Sequence, residues 1–564
     1  MSTHIDLTER AAEDAGAVDA GFGLNPLVGL GAADLIAAFQ QIAQHMLQHP
    51  WVTLEYQFDL AGQLLRAFNG SSAIEPARGD RRFADPVWTS NPLYRAIQQA
   101  YLAWRDSLDR WVANAGFDRV NEQRARIALS QIGDAAAPTN SWLGNPAAVR
   151  KCFETSGMSV VHGLRHMLDD WSQNGGLPAQ VDKRGFRVGD NLGATRGTVV
   201  FRSDQAELIR YAPKREQVLA RPLLIVPPQI NKFYLFDLAP GRSVIEYLLD
   251  SGIQVFVVSW RNPTAEQRDW GLDTYVNALV EVSDAVRAIT GSENLNVAAA
   301  CSGGITASVL LGHLAAKQDR RINAATLLVT VLDTSIESQL GHLITREGIE
   351  AARAASRHKG VLEGDDLGRV FAWMRPNDLI WNYWVNNYLL GNDPPAFDLL
   401  YWNADTTRLP ARLHSDFLDL ILHNPLPCPG SMTVAGTPID LSQVACDSFI
   451  VAGTTDHITP WQACYATTQM LGGRKEFVLS SSGHIQSVIN PPGNAKAKYF
   501  LNPQLPAGPD AWLAAARQHD GSWWGHWRDW LVARSGQPRP APILLGNPYY
   551  PPQADAPGTY VLSD

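Results

Sequence analysis

From about residue 186 onward, short apolar runs alternate with amphipathic segments, at the spacing expected of a sheet covered on both faces. TVVFR (198–202) and AELIRYA (206–212) read as paired strands. LLIVP (223–227) is the next strand, followed by a helical segment at 241–251. IQVFVVSW (253–260) precedes a helix at about 273–290, LNVAAA (295–300) leads into a helix at 303–316, and AATLLVTVL (324–332) is a further strand. The alternation breaks from about 333 to 440, a stretch rich in Trp, Asn and Pro. It resumes with SFIVAG (448–453), a helix near 461–471 and EFVLS (476–480). WWGHWRDWL (523–531) reads as a closing amphipathic helix ahead of a Pro-rich tail. Strands joined by helices imply a parallel sheet, and such sheets bind ligands at the carboxyl ends of their strands.

The first part of the chain has a different period. Residues 1–30 read as a flexible lead-in and 31–185 as mainly helical. The clearest helix begins at Asn91-Pro92, a capping residue followed by a first-turn proline. Tyr94, Ile97, Tyr101, Trp104, Leu108 and Trp111 then recur at spacings of three and four. That stripe faces either its own domain, a second subunit or an apolar phase. The organisation expected is therefore a lead-in, a helical N-terminal domain (31–185) and an α/β domain (186–564). An insertion at about 333–440 would sit as a lid over the active edge of the sheet.

Composition narrows the function. The 564 residues are 45% apolar and 18% charged, an ordinary globular balance. A formal net charge of −9 argues against nucleic acid as a main partner. The 18 Trp suit a core or a surface that meets an apolar phase. The N-terminal stretch carries Asp6, Glu9, Glu13, Asp14 and Asp19 against Arg10, which is no signal peptide. No run approaches the ~20 apolar residues of a membrane span. Five cysteines (152, 301, 428, 446 and 464) are scattered without a C-x-x-C pair. They read as reduced thiols of a cytoplasmic protein, with neither a disulfide framework nor a metal site.

The sharpest chemical signal is Ala299-Ala300-Cys301-Ser302-Gly303-Gly304, between a predicted strand and a predicted helix. This is the G-x-S-x-G nucleophile-elbow layout of the α/β-hydrolase fold, with Ala299 in place of the first Gly and Cys301 in place of Ser. Small residues flank the nucleophile because the tight turn brings strand and helix backbones together. A lone cysteine is ordinarily a small buried hydrophobe; the strand–turn–helix setting reverses that reading. The helix that follows points its positive end at the sulfur and favours thiolate, against a free pKa of about 8.5. The Ser302 N–H offers half of an oxyanion hole, and the loop PPQINKFY (227–234) the other half, with Ile230 the candidate donor.

In this fold the chain order is nucleophile, acid, histidine, each at a strand end. Asp456 follows SFIVAG, in GTTDHITPW, and His484 follows EFVLS, in SSSGHIQS. Singly, such an Asp is a turn former and such a His is structural; together, in this order, they form a triad with Cys301. His457 is the rival histidine. Sulfur also speaks to the reaction. A thiolate attacking a thioester exchanges one C–S bond for another, so the acyl group stays activated for a later acceptor.

ACSGG, PPQINKFYLFDL (227–238), SWRNPT (259–264), RPNDLIWNYWVNNYLLGN (375–392), GTTDHITPW (453–461) and SSGHIQSVINPPGN (481–494) together resemble the polyhydroxyalkanoate synthases. GLNPLVG (23–29), DRRFADPVWTSNPLYR (80–95) and YLAWR (101–105) resemble the N-terminal half of the class II, medium-chain-length enzymes. The departure is Ala299, where the family's box usually begins with Gly. The resemblance implies polymerisation of (R)-3-hydroxyacyl-CoA into polyester, with CoA released as the leaving group and no other cofactor. It implies Cys301 as the acylated nucleophile, His484 as its base and Asp456 as the third catalytic residue, assisting activation of the 3-hydroxyl. It also implies a growing polyester chain and granule surface as partners, a homodimer, and a cytoplasmic, granule-associated location. Arg375 is a candidate for the CoA phosphates, against a structural salt bridge. Thr330 and Gln486 are candidates for the acyl pocket, and Trp373, Trp381 and Trp384 for an acyl tunnel under the lid. The alternatives are an intracellular cysteine-type thioesterase or ester hydrolase, and a non-catalytic granule coat.

Overall fold

A computed structural model describes residues 32–77, 80–335, 346–364, 366, 376–456 and 458–563. The alternation of the second part becomes one sheet of eleven strands. In chain order it uses β1 (Gly197–Arg202), β2 (Ala206–Tyr211), β3 (Leu223–Val226), β4 (Val255–Trp260), β5 (Leu295–Ala300), β6 (Ile322–Leu328), β7 (Asp447–Gly453), β8 (Lys475–Ser480), β9 (Lys498–Leu501), β10 (Arg517–Asp520) and β11 (Ala554–Asp555). Across the sheet the order is β10-β9-β8-β7-β6-β5-β3-β4-β2-β1-β11. The six strands from β8 to β4 run parallel, while β2, β1 and β11 on one flank and β9 and β10 on the other run antiparallel. This is the α/β-hydrolase architecture.

Strand periodicity explains how the sheet carries two cores. Leu224 and Val226 of β3, Phe256 and Val258 of β4, and Val297 and Ala299 of β5 enter one cluster. Their neighbours Leu223, Ile225, Val255, Val257, Ala298 and Ala300 enter the other. Successive side chains leave a strand on opposite faces, so strands covered on both sides must be apolar throughout. Helix α8 (Leu272–Thr290) and helix α9 (Cys301–Ala316) cover the first face; α7 (Val244–Asp250) and α14 (Trp524–Val532) cover the second. Trp523, Trp524 and Trp527 are core residues, and their indole N–H groups donate to Ser487 O, Val488 O and Thr326 Oγ1. β6 stops at Leu328, earlier than the apolar run through 332 implies, because Val329 takes a positive φ of 44° and turns the chain out of the strand.

Among the described residues ahead of the sheet, the longer helices are α1 (Ala32–Gln48), α2 (Pro50–Phe68), α3 (Pro92–Asn114), α4 (Arg119–Ala135), α5 (Pro146–Glu154) and α6 (Met158–Gln173). Asn91 caps α3, its Oδ1 accepting from Leu93 N at 2.9 Å and Tyr94 N at 3.3 Å. Two residues of the aromatic stripe of α3 are buried within the helical region, and the other four are half-buried. Tyr101 packs with Phe83 and Trp88, and Trp111 with Ile42, Val112 and Ala128.

The insertion contributes α10 (Arg346–Lys359) and α11 (Ala411–His423), with α12 (Trp461–Met470) and the short α13 (His484–Val488) following beyond it. Residues 376–393 of the insertion lie against α6. A Cβ on Gly163 would stand 1.9 Å from Tyr388 O, and one on Gly391 would stand 2.3 Å from Ser159 O. Tyr388 OH donates to Asp170 Oδ2 at 2.8 Å, and Asn387 Nδ2 to Ala179 O at 2.8 Å. The insertion is thus bolted to the helical region as well as to the sheet.

Candidate active site

β5 ends at Ala300 and α9 begins on the next residue, with Cys301 held at φ 50°. A non-glycine residue there is strained, and such strain persists only when the surroundings over-determine it. The small residues of the motif now have reasons. A Cβ on Gly303 would lie 2.4 Å from Pro227 O, and one on Gly304 would lie 1.9 Å from Thr330 Oγ1. Ala299 is fully buried beside Val226 of β3, its cross-strand partner.

The acid and the histidine arrive from β7 and β8. Asp456 Oδ2 lies 2.7 Å from His484 Nδ1, and the two side chains are 0% and 6% exposed. His484 also hydrogen-bonds the Cys301 side chain. Cys301, His484 and Asp456 therefore form one connected chain. Burial works to lower the basicity of the imidazole. The charge and hydrogen bond of Asp456, with a contribution from Cys301, outweigh it and raise the His484 pKa well above its ordinary value.

Asp456 is itself fully loaded. Its Oδ1 accepts from the N–H groups of Ile458 and Thr459, both at 2.9 Å. Its Oδ2 accepts from Thr459 Oγ1 at 2.6 Å, and that hydroxyl lies 3.1 Å from His484 Nδ1. Thr459 is a site residue that the search for nucleophile, acid and base passed over. The signal was present: an Asp followed two and three residues on by free N–H groups is an Asx-type turn that fixes its own carboxylate.

The loop after β3 reaches the elbow. Gln229 N donates to Ser302 Oγ at 3.2 Å, and Gln229 Nε2 to Thr306 Oγ1 at 2.9 Å. Ile230 follows directly, its carbonyl accepting from Thr407 N at 3.3 Å. The segment that closes the insertion thus seals the same loop, and Thr407 Oγ1 donates to Gln229 O at 2.6 Å.

The remaining candidates fall in different places. Thr330 is fully buried, packed against Gly304, and donates its hydroxyl to Leu328 O at 2.9 Å. Gln486 is half-buried two residues past His484 on α13. Trp381 and Trp384 stack edge-on at 5.7 Å. Trp384 donates to Asn140 O at 3.1 Å, so it serves the seam with the helical region. Arg375, Trp373 and His457 lie outside the described residues. Two of the other cysteines are poor nucleophiles. Burial, then the nearby Asp456, hold the Cys464 thiol far above its ordinary range, and burial pushes Cys446 up to about 12.

A strained sulfur, a charged imidazole and a buried carboxylate at neighbouring strand ends can form and break an acyl bond. Comparisons with known proteins agree. Residues 79–248 match the family described as the poly-beta-hydroxybutyrate polymerase (PhaC) N-terminus, and residues 222–491 match the alpha/beta hydrolase fold. Poly(3-hydroxyalkanoate) polymerase 1 of Ectopseudomonas oleovorans is 50% identical over 539 residues, 96% of this chain and 96% of its own. Polymerase 2 of the same organism is 52% identical over 540 residues, again 96% of each. The poly(3-hydroxyalkanoate) polymerase subunit PhaC of Cupriavidus necator is 40% identical over 490 residues, 86% of this chain and 83% of its own.

Proposed function

The chain belongs to the poly(3-hydroxyalkanoate) polymerases, on the class II side of that family, and from this premise we propose that it builds medium-chain-length polyester through an acyl thioester on Cys301. It is an acyltransferase that makes polyester from acyl-CoA. The finer reading rests on one observation: the Cys301–His484–Asp456 hydrogen-bonded chain at an α/β-hydrolase elbow.

In this mechanism the Cys301 sulfur attacks the thioester carbonyl of (R)-3-hydroxyacyl-CoA. The N–H groups of Ser302 and Ile230 stabilise the tetrahedral oxyanion. Collapse breaks the old C–S bond, and the His484 imidazolium gives its proton to the departing CoA sulfur. The 3-hydroxyl of another acyl unit then attacks the Cys301 thioester. His484 takes the hydroxyl proton, Asp456 steadies the resulting imidazolium, and the sulfur leaves. The product is an ester one unit longer. No cofactor enters, because CoA arrives and departs with each substrate.

We also propose a cytoplasmic enzyme, dimeric and bound to the surface of its own polyester granule. Val161, Leu164, Leu168 and Trp171 support the last point: they recur at three and four along α6 and are 55%, 50%, 70% and 78% exposed. Among the described residues no helix is long and apolar enough to cross a membrane.

The test is incubation with (R)-3-hydroxydecanoyl-CoA while thiol release is followed and the product analysed. Insoluble polyester supports the synthase, free hydroxy acid would instead make the chain a thioesterase, and no thiol release would leave a granule coat. Faster release from the decanoyl than from the (R)-3-hydroxybutyryl substrate supports the medium-chain preference. Sedimentation with and without substrate tests the dimer.

A further inference from the structure

We propose that the segment 559–563 is a latch that positions the oxyanion loop of the acylation site, and that Lys232 is the positioning residue through which it acts. The inference rests on the assignment of Ile230 as an oxyanion donor.

Lys232 stands two residues beyond Ile230 in the loop 227–234. Its side chain is only 4% exposed, and its ammonium faces Asp405 Oδ1 at 3.2 Å. The same nitrogen donates to Val561 O at 2.7 Å and Ser563 O at 3.0 Å. An ammonium has three donors, and all three are used. A buried charge is tolerated only when it is paired and hydrogen-bonded in this way. Asp405 also takes the Tyr234 hydroxyl at 2.7 Å, and Trp402 Nε1 donates to Lys232 O at 2.7 Å.

The segment does not need Lys232 to stay in place. Glu207 of β2, 0% exposed, accepts from Thr559 N at 2.9 Å and Tyr560 N at 3.0 Å. Tyr560 OH donates to Ser203 O at 2.8 Å, and the Arg261 guanidinium lies over the Tyr560 ring at 5.4 Å. The flank of the sheet therefore holds residues 559–560, Lys232 takes the Val561 carbonyl, and it shares the Ser563 carbonyl with Asn262. Such an arrangement ties the loop to the sheet; it is more than is needed to tie down the segment.

The second anchor on the loop comes from the close of the insertion. Asn262 Nδ2 donates to Ser563 O at 3.5 Å, while Asn262 Oδ1 accepts from Arg408 N at 2.9 Å. The adjacent Thr407 holds Gln229 O and Ile230 O. Motifs far apart in the chain thus meet on one short stretch of backbone, whose N–H must point at an oxyanion that exists only in the transition state. Loosening it lowers turnover and leaves ground-state binding nearly intact.

The experiment compares wild type, Lys232→Met and a chain ending at Gly558. Each is assayed for kcat and KM with (R)-3-hydroxydecanoyl-CoA, for melting temperature, and for Cys301 alkylation by iodoacetamide. Both altered proteins are expected to lose roughly 10- to 100-fold in kcat, with KM within about threefold and alkylation unchanged, as partial loss of an oxyanion donor predicts. The peptide Thr-Tyr-Val-Leu-Ser-Asp, added in excess, is expected to restore turnover to the shortened chain. Wild-type kcat in folded Lys232→Met or in the shortened chain overturns the latch, as does alkylation that falls in step with kcat. Should Lys232→Met not fold, the shortened chain decides, and failure of the peptide to restore its turnover overturns the latch. Ile230→Pro, which removes the N–H, separates the two ideas. Wild-type kcat in that variant removes the oxyanion assignment; an impaired Ile230→Pro beside an unimpaired Lys232→Met removes the latch alone.

Discussion

Asp456 Oδ2 lies 2.7 Å from His484 Nδ1, a contact between two buried side chains supplied by adjacent parallel strands. This carboxylate is the largest influence raising the basicity of the imidazole, against the opposing effect of burial. Asp456→Asn removes the charge and leaves desolvation dominant, so the His484 titration midpoint is expected to fall. NMR of the imidazole across pH 5–10 reads that change directly. Turnover is expected to drop by roughly 10²–10⁴-fold, the worth of a positioned general base. The stability sign also follows. A histidine whose folded pKa is raised contributes stability below its unfolded value of about 6.5, and that contribution is lost as pH rises through the folded value. An Asp456→Asn protein with an unmoved midpoint would contradict the coupling.

The elbow makes a packing prediction that is independent of the chemistry. In Gly304→Ala the new methyl meets Thr330 Oγ1, Cγ2 and Cβ, all inside normal contact. Overpacking of this kind costs about 1–3 kcal/mol. Thr330→Gly alone opens a small void and frees Leu328 O. The double variant Gly304→Ala/Thr330→Gly is expected to be more stable than the sum of the singles predicts, because the two changes complement one another. Additive urea midpoints would show that the clash is relieved elsewhere.

A pH-dependent weakness lies outside the site. Asp237 is 2% exposed and accepts from Ser243 Oγ at 2.7 Å and Thr195 N at 3.0 Å. Burial, partly offset by these hydrogen bonds, raises its pKa to about 6 from an ordinary 3.8. The folded state therefore binds the proton more tightly, and stability falls as pH rises between the two values. A shift of this size corresponds to about 3 kcal/mol. Asp237→Asn does not titrate, so its stability relative to wild type is expected to rise by about 2 kcal/mol, most of that amount, between pH 4 and pH 7. Urea unfolding at the two pH values checks it; a constant difference would refute it.

The sheet was legible because its strands are apolar on both faces. LLIVP, IQVFVVSW and LNVAAA each fall within a residue or two of β3, β4 and β5. The position of Asp456 and His484 just beyond β7 and β8 was legible because strand ends are where this architecture gathers its chemistry. What resisted reading was contact across long separations. Thr330 had the right type and strand position for a pocket residue, yet nothing in the sequence says that its hydroxyl packs against Gly304. Trp381 and Trp384 have the composition of a tunnel wall and pack against one another, with Trp384 bonded to the helical region. Lys232 reads as an ordinary loop lysine until Val561 and Ser563, more than three hundred residues away, are brought to it.

The seam between the insertion and α6 also bears on water. In the mechanism we propose, an acyl thioester on Cys301 survives until the next hydroxyl arrives only if water is kept from it. The insertion that would exclude water is seated on α6, where Gly163 lets the Tyr388 backbone approach. Gly163→Ala drives a methyl into that carbonyl, and neither backbone can yield by a side-chain rotation, so the insertion must lift from the helix. The nearest atoms to the new methyl all belong to the Tyr388 backbone, away from Cys301, His484 and Asp456. Acylation is therefore expected to proceed while deacylation is diverted, raising the ratio of free 3-hydroxy acid to polyester severalfold at similar CoA release. Arg165→Ala, on the same helix with a side chain 82% exposed, is the control and is expected to leave the ratio at the wild-type value. A Gly163→Ala enzyme that is simply slower, with the product ratio unchanged, would confine this seam to holding the insertion on α6 and remove it from the chemistry.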